Sequence, residues 1–216
     1  EDVAEREGRT VLFVSHNIGI IQSLCTNGIL LSEGFLIKYA PVEISINTYL
    51  TALEQLPSDN LLDRKDRKGQ GKVKFKRIQV YNGKSTNLMI GKPALFLFEI
   101  TNVLPHLTCA FTIYNQIGQP VIHFNSFLES PVDIKISEND LKFICEVEEL
   151  FLLPGRYRMN VSLALGNVIQ DHLEGAFFFD VEPSAIKGRL INGEYANYGN
   201  FFIPHRWYVP KHNQDC

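Results

Sequence analysis

"CAFTIYNQIGQPVIHFNS", residues 109–126, decides the fold. Two runs of alternating apolar and polar residues flank the turn signal IGQP, the pattern of a β-hairpin with one buried face. Phe111 and Ile113 point one way on the first strand, and Thr112 and Tyr114 the other. On the second strand Ile122 and Phe124 face in, leaving His123 and Asn125 outward.

The same period of two recurs on both sides of this hairpin. It runs through KVKFKRIQVY (72–81), ALFLFEITN (94–102), KFICEVEE (142–149), RYRMNVSLAL (156–165) and GAFFFDVE (175–182), separated by NGK, LLPG and GN. Short strands at such spacing, with no helical pattern between them, predict an immunoglobulin-like antiparallel β-sandwich. On RYRMNVSLAL, Tyr157, Met159, Val161, Leu163 and Leu165 go inward, and Arg158, Asn160 and Ser162 outward. In the last run Phe177, Phe179 and Val181 go inward. Each buried side chain of this size stabilises by ~1.5–3 kcal/mol, so the core needs no disulfide.

Composition agrees with a folded protein. Hydrophobic residues make up 45% of the 216, and the aromatics include 15 Phe and 8 Tyr, which suit strands. The formal charge of −3 gives no general attraction to nucleic acid, and none is expected as a partner. Lys72, Lys74, Lys76 and Arg77 alternate with apolar residues as the solvated side of a strand would. Cys25, Cys109, Cys145 and Cys216 form no CxxC pair and no zinc-spaced cluster, so no metal is expected, and scattered thiols fit a reducing cytosol. No apolar run reaches the ~18 residues of a membrane span.

The first 56 residues read differently. TVLFVS (10–15) is a continuous apolar run, the mark of a strand covered on both faces. Ile18, Ile21 and Leu24 follow at helical spacing, GILLSEGFLIKYA suggests two strands around a Glu-Gly turn, and PVEISINTYLTALE places Val42, Ile46, Tyr49, Leu50 and Leu53 on one helical face. This is α/β architecture, too short for a whole domain. Residues 57–71 are polar, charged and glycine-ended, and are expected to be a linker before a sandwich at 72–210.

EREGRTVLFVSHN resembles the last catalytic portion of an ABC-type ATPase domain, and LCTNGILLSEGFLIKYA is similar to that family's continuation. The resemblance implies that His16 senses the γ-phosphate of ATP in a longer parent subunit, of which this chain is expected to be a C-terminal piece. The sequence has no G-x-x-x-x-G-K-[ST] loop to cradle phosphates, and no Walker B acid. ATP and Mg²⁺ are therefore expected in the full-length parent and no cofactor in this chain, which is not expected to be an enzyme.

The sandwich resembles the C-terminal domain of ATP-binding subunits from O-antigen and related polysaccharide exporters, the Wzt type. GKVKFKRI, FTIYNQIGQPVIHFNS, LLPGRY and IPHRW carry the likeness, in that order. It implies a homodimer that recognises the exported polysaccharide and works with a transmembrane permease, in the cytoplasm at the inner membrane. The outward set Tyr114, His123, Asn125, Arg158, Asn160 and Ser162 is the candidate carbohydrate face: amides, a guanidinium fork and an aromatic plane suit sugars. The same residues would equally serve as a plain solvent face, and the sandwich as a dimerisation or docking module. Arg206 and Trp207 are read as structural, with Trp207 filling an apolar seam that a dimer could share. His172, beside Asp171, has no nucleophile motif and is expected to make a loop hydrogen bond.

Overall fold

The computed structural model describes residues 10–15, 18–32, 34–56, 59–83, 85–127 and 141–208. Helix α1 (Ile18–Leu24) leads into the hairpin β1 (Asn27–Ser32) and β2 (Phe35–Pro41), and then helix α2 (Val42–Glu54). The sandwich follows: β3 (Phe75–Tyr81), β4 (Leu88–Met89), β5 (Ala94–Ile100), β6 (Leu107–Tyr114), β7 (Pro120–Asn125), β8 (Lys142–Val147), β9 (Gly155–Leu165) and β10 (Val168–Glu182). A short ribbon, β11 (Ser184–Ile186) with β12 (Arg189–Ile191), closes the order.

Two sheets face each other. One has five strands in the order β4-β10-β9-β6-β7, the other three in the order β3-β5-β8. Every pairing is antiparallel except β10 with β4. The predicted alternation holds where it defines the core. Phe96 and Phe98 of the smaller sheet meet Phe111 of the larger at ring distances of 5.1 and 5.0 Å, and Phe111 stacks on Phe124 at 4.6 Å. Ile113, Met159 and Leu163 are fully buried beside them. The three described cysteines form no disulfide with one another.

Three expectations need correction. TVLFVS is not a strand: residues 10–15 are irregular, with Leu12 82% and Val14 96% exposed. A strand buried on both faces needs sheet neighbours and flanking layers, and the described residues supply none for it.

The stretch read as a linker is packed, from residue 59 onward, against the sandwich. Leu61 is fully buried, and Lys68 exchanges both backbone hydrogen bonds with His172. Arg64 donates to the carbonyls of Glu174 and Gly175, and Arg67 pairs with the buried Asp171. Three of the charges that suggested solvent, Arg64, Arg67 and Lys68, are spent on β10. His172 accordingly lies within β10 and not in a loop.

Gly69 makes this close approach feasible. Its φ is +124°, and a Cβ there would stand 2.6 Å from the Gln170 carbonyl oxygen. Gly69→Ala should therefore destabilise the fold by about 1–3 kcal/mol, seen as an earlier urea midpoint. An unchanged midpoint would mean that the segment does not need this contact.

Candidate functional site

Strand register brings the six predicted residues onto one face, the outer face of the five-stranded sheet. They form three rungs across strands about 4.8 Å apart. In the first, Tyr114 stands opposite Arg158, which stands opposite Phe178. In the second, Thr112 lies between His123 and Asn160. In the third, Ala110 lies between Asn125 and Ser162, with His172 beyond.

The first rung is not open to solvent, as the outward assignment of Arg158 had implied. Arg158 is 5% exposed. Helix α2 lies along this end of the sheet, and its residues Asn47, Thr51 and Glu54 share a cleft with Arg156 and Arg158. Parity had set the direction of Arg158 correctly, and a helix distant in sequence then covered it. The guanidinium sits 4.4 Å from the Tyr114 ring centroid and donates to Asn160 Oδ1 at 3.2 Å. Burial lowers its pKa, while the nearby Tyr49, Tyr114 and Glu174 oppose that.

A β-bulge receives the helix. The register of β10 slips between Leu173 and Phe177, and Gly175 takes φ +55° with α2 Leu53 packed close to it. Asn160 Oδ1 accepts the Gly175 amide at 2.8 Å, so its carbonyl oxygen is engaged in holding the bulge. Two polar contacts fasten α2 beside it. Tyr49 donates its hydroxyl to Glu174, which also pairs with Lys68, and Arg156 bridges Glu54 and Asp180 at 2.9 Å each. Burial pushes the Tyr49 phenol far up, and its bond to Glu174 adds to the rise. Burial would raise the Glu174 carboxyl too, yet the Lys68 and Tyr49 hydrogen bonds outweigh it and hold the group below its usual value. At the other end α1 joins the joint, with Ile18 seated on Gly118 in the β6–β7 turn.

The second and third rungs carry the groups that remain accessible. Thr112 Oγ1 and His123 Nδ1 are 2.9 Å apart, and His123 is exposed. Asn125 Oδ1 accepts the Phe127 amide at 3.0 Å, which fixes its side chain, and Ser162 is half-buried. Ala110 gives the patch a low floor.

Other predicted residues lie elsewhere. Trp207 fills no seam within the chain: it is 77% exposed, with the His205 ring edge-on at 6.1 Å, and Arg206 is exposed. His16 lies outside the described residues. Sequence reading missed Tyr49, Glu54, Arg156 and Glu174. One signal was present, since a glycine inside a strand pattern, as in HLEGAFFF, marks a bulge or a close backbone approach.

The profile of the Wzt C-terminal domain matches residues 64–196. The chain belongs to the Wzt C-terminal domain family. The match begins at Arg64, within the packed segment that leads into the sandwich. Among solved structures, the crystal structure of the C-terminal domain of Wzt is similar at 16% identity and a TM-score of 0.48, covering 71% of this chain and 99% of that one. No curated protein sequence matches the chain. No helix among the described residues is long and apolar enough to cross a membrane.

Proposed function

We propose that this Wzt-type domain reads the exported polysaccharide, without catalysis, on the open part of its five-stranded face. The carrying observation is the accessible patch of Thr112, His123, Asn125 and Ser162 around Ala110, in a member of this family. Hydroxyl, imidazole and amide groups at neighbouring positions can exchange hydrogen bonds with several sugar hydroxyls at once. Each such bond is worth about 0.5–1.5 kcal/mol, so single-site affinity is modest and a dimer would add avidity. The exposed Phe201, Ile203 and Trp207 are our candidates for that homodimer contact.

Family membership supports the rest of the reading. On this reading the domain serves an ABC exporter subunit that works with a membrane permease, on the cytoplasmic side of the inner membrane. ATP and Mg²⁺ belong to the nucleotide-binding part of that subunit.

A second reading, a docking module with no glycan site, draws support from the Tyr49–Glu174 and Arg156–Glu54 contacts. The two readings use different rungs of one face, so one experiment separates them. The chain is titrated with polysaccharide from its source strain and with an unrelated polysaccharide. Glycan recognition predicts selective binding that Thr112→Val with His123→Ala weakens by roughly five- to a hundredfold, two lost bonds' worth. Binding of neither polysaccharide by folded protein would leave the docking module.

A further inference from the structure

Helix α2 meets the sandwich through few contacts, and its own packing lies elsewhere. Its buried Val42 and Ile46 cluster with Ile18 of α1, apart from the sandwich core. Two apolar side chains of this helical pair seat on glycines of the sandwich, Ile18 on Gly118 and Leu53 on Gly175. The other fastenings are polar: Tyr49 with Glu174, and Glu54 with Arg156. In the second pair the side chains are 42% and 46% exposed, and ion pairs that open to water hold weakly. Between these points the surfaces do not close, and a cleft of about 220 Å³ remains. Docking also leaves Arg158 Nε buried with no hydrogen bond among the described residues, although Glu174 and the Tyr114 ring offset part of the burial. Small polar contacts of this kind belong to domain interfaces that open, whereas a core is packed without gaps.

What the helix covers is the continuation of the open patch. The rungs of Ala110 and Thr112 are accessible, and the next rung along the same strands, Tyr114–Arg158–Phe178, lies against α2. Successive rungs are about 7 Å apart, so a polysaccharide laid along the strands past Thr112 soon runs into the helix. We propose that α2 is a detachable cover of the polysaccharide-reading face, docked on the Tyr114–Arg158–Phe178 rung when the face is empty and displaced when a chain occupies it. The inference rests on the glycan-reading function and adds a competition to it. A ligand that needs the uncovered face binds only the undocked fraction, so firm docking lowers its apparent affinity by that fraction. By linkage, the ligand loosens the dock by the same factor.

Two readouts on the whole chain test it. Leu53 is buried at the helix–sheet contact. The alkylation rate of the thiol in Leu53→Cys, followed on its own peptide by mass spectrometry, therefore reports undocking without any glycan. Tyr49→Phe with Glu54→Gln removes both polar ties and leaves the sandwich core untouched. With both ties gone, labelling should quicken about tenfold or more, and polysaccharide from the source strain should bind about threefold or more tighter than to wild type. Saturating amounts of that polysaccharide should quicken labelling of Leu53→Cys with the ties intact, and an unrelated polysaccharide should not. Should the double variant not fold, Tyr49→Phe alone gives the same directions at smaller amplitude. Labelling unchanged by loss of the ties overturns the detachable joint. Quickened labelling with unchanged or weaker polysaccharide binding overturns the cover and leaves a plain hinge. Wild-type binding that never alters labelling overturns this inference alone. No binding by wild type or by the opened variant removes the glycan reading, and the cover with it.

Discussion

Asp171→Asn is expected to cost about 3–5 kcal/mol, a large share of the ~5–15 kcal/mol that stabilises a domain of this kind. Asp171 is 1% exposed near the start of β10, and Oδ2 receives both the Arg67 guanidinium and the Phe75 amide. Arg67 in turn donates to the carbonyls of Leu61 and Phe75. One carboxylate thus ties β10, the entry to β3 and the packed segment before it. The amide keeps the shape and removes the charge, leaving Arg67 largely desolvated without a counter-ion. A denaturant titration measures the loss. Arg67→Met combined with Asp171→Asn should recover part of it, because no buried charge is then left alone. A single variant within about 1 kcal/mol of wild type would mean that the pair is solvated and that the clamp holds little.

The same clamp explains what was hidden in the sequence. VIQDHLE, 168–174, is the first half of a long strand, yet no strand was expected there, because Gln170 and Asp171 interrupt the apolar alternation. Both are buried, and for Asp171 that is tolerable only because Arg67 arrives from a hundred residues away. DRKDRKGQG carried the mirror image of the problem: charge suggested water, while its arginines serve as internal partners. Local pattern is sufficient where burial is apolar, as in FTIY, RYRMNVSLAL and ALFLFEI. It fails where a polar residue is buried against a distant one. The candidate face follows the same division. Parity put Tyr114, His123, Asn125, Arg158, Asn160 and Ser162 on one side, and register aligned them. That α2 would cover Arg158 depends on Tyr49, Glu54 and Leu53 meeting β9 and β10, which no local period encodes.

Phe111→Ala should lower stability by about 3–5 kcal/mol, as expected for an aromatic removed from a close-packed core. Phe111 is 4% exposed and touches rings from both sheets, Phe96 and Phe98 across the sandwich and Phe124 beside it. The small side chain leaves those rings without a partner at the centre of the interface, where neighbouring strands cannot collapse independently. At roughly 2–4 °C per kcal/mol for a protein of this size, the melting temperature falls by about 6–20 °C. The adjacent residue supplies the contrast. Thr112 is one position along β6 and points to the opposite side, so Thr112→Ala should change stability by only about 0.5 kcal/mol. On the glycan reading it should weaken polysaccharide binding, while Phe111→Ala, held well below its melting point, should bind as wild type does. Core and recognition are thereby assigned to alternate residues of a single strand. Reversed effects, with Thr112 carrying stability and Phe111 carrying binding, would mean that the sheet presents its other face to the ligand.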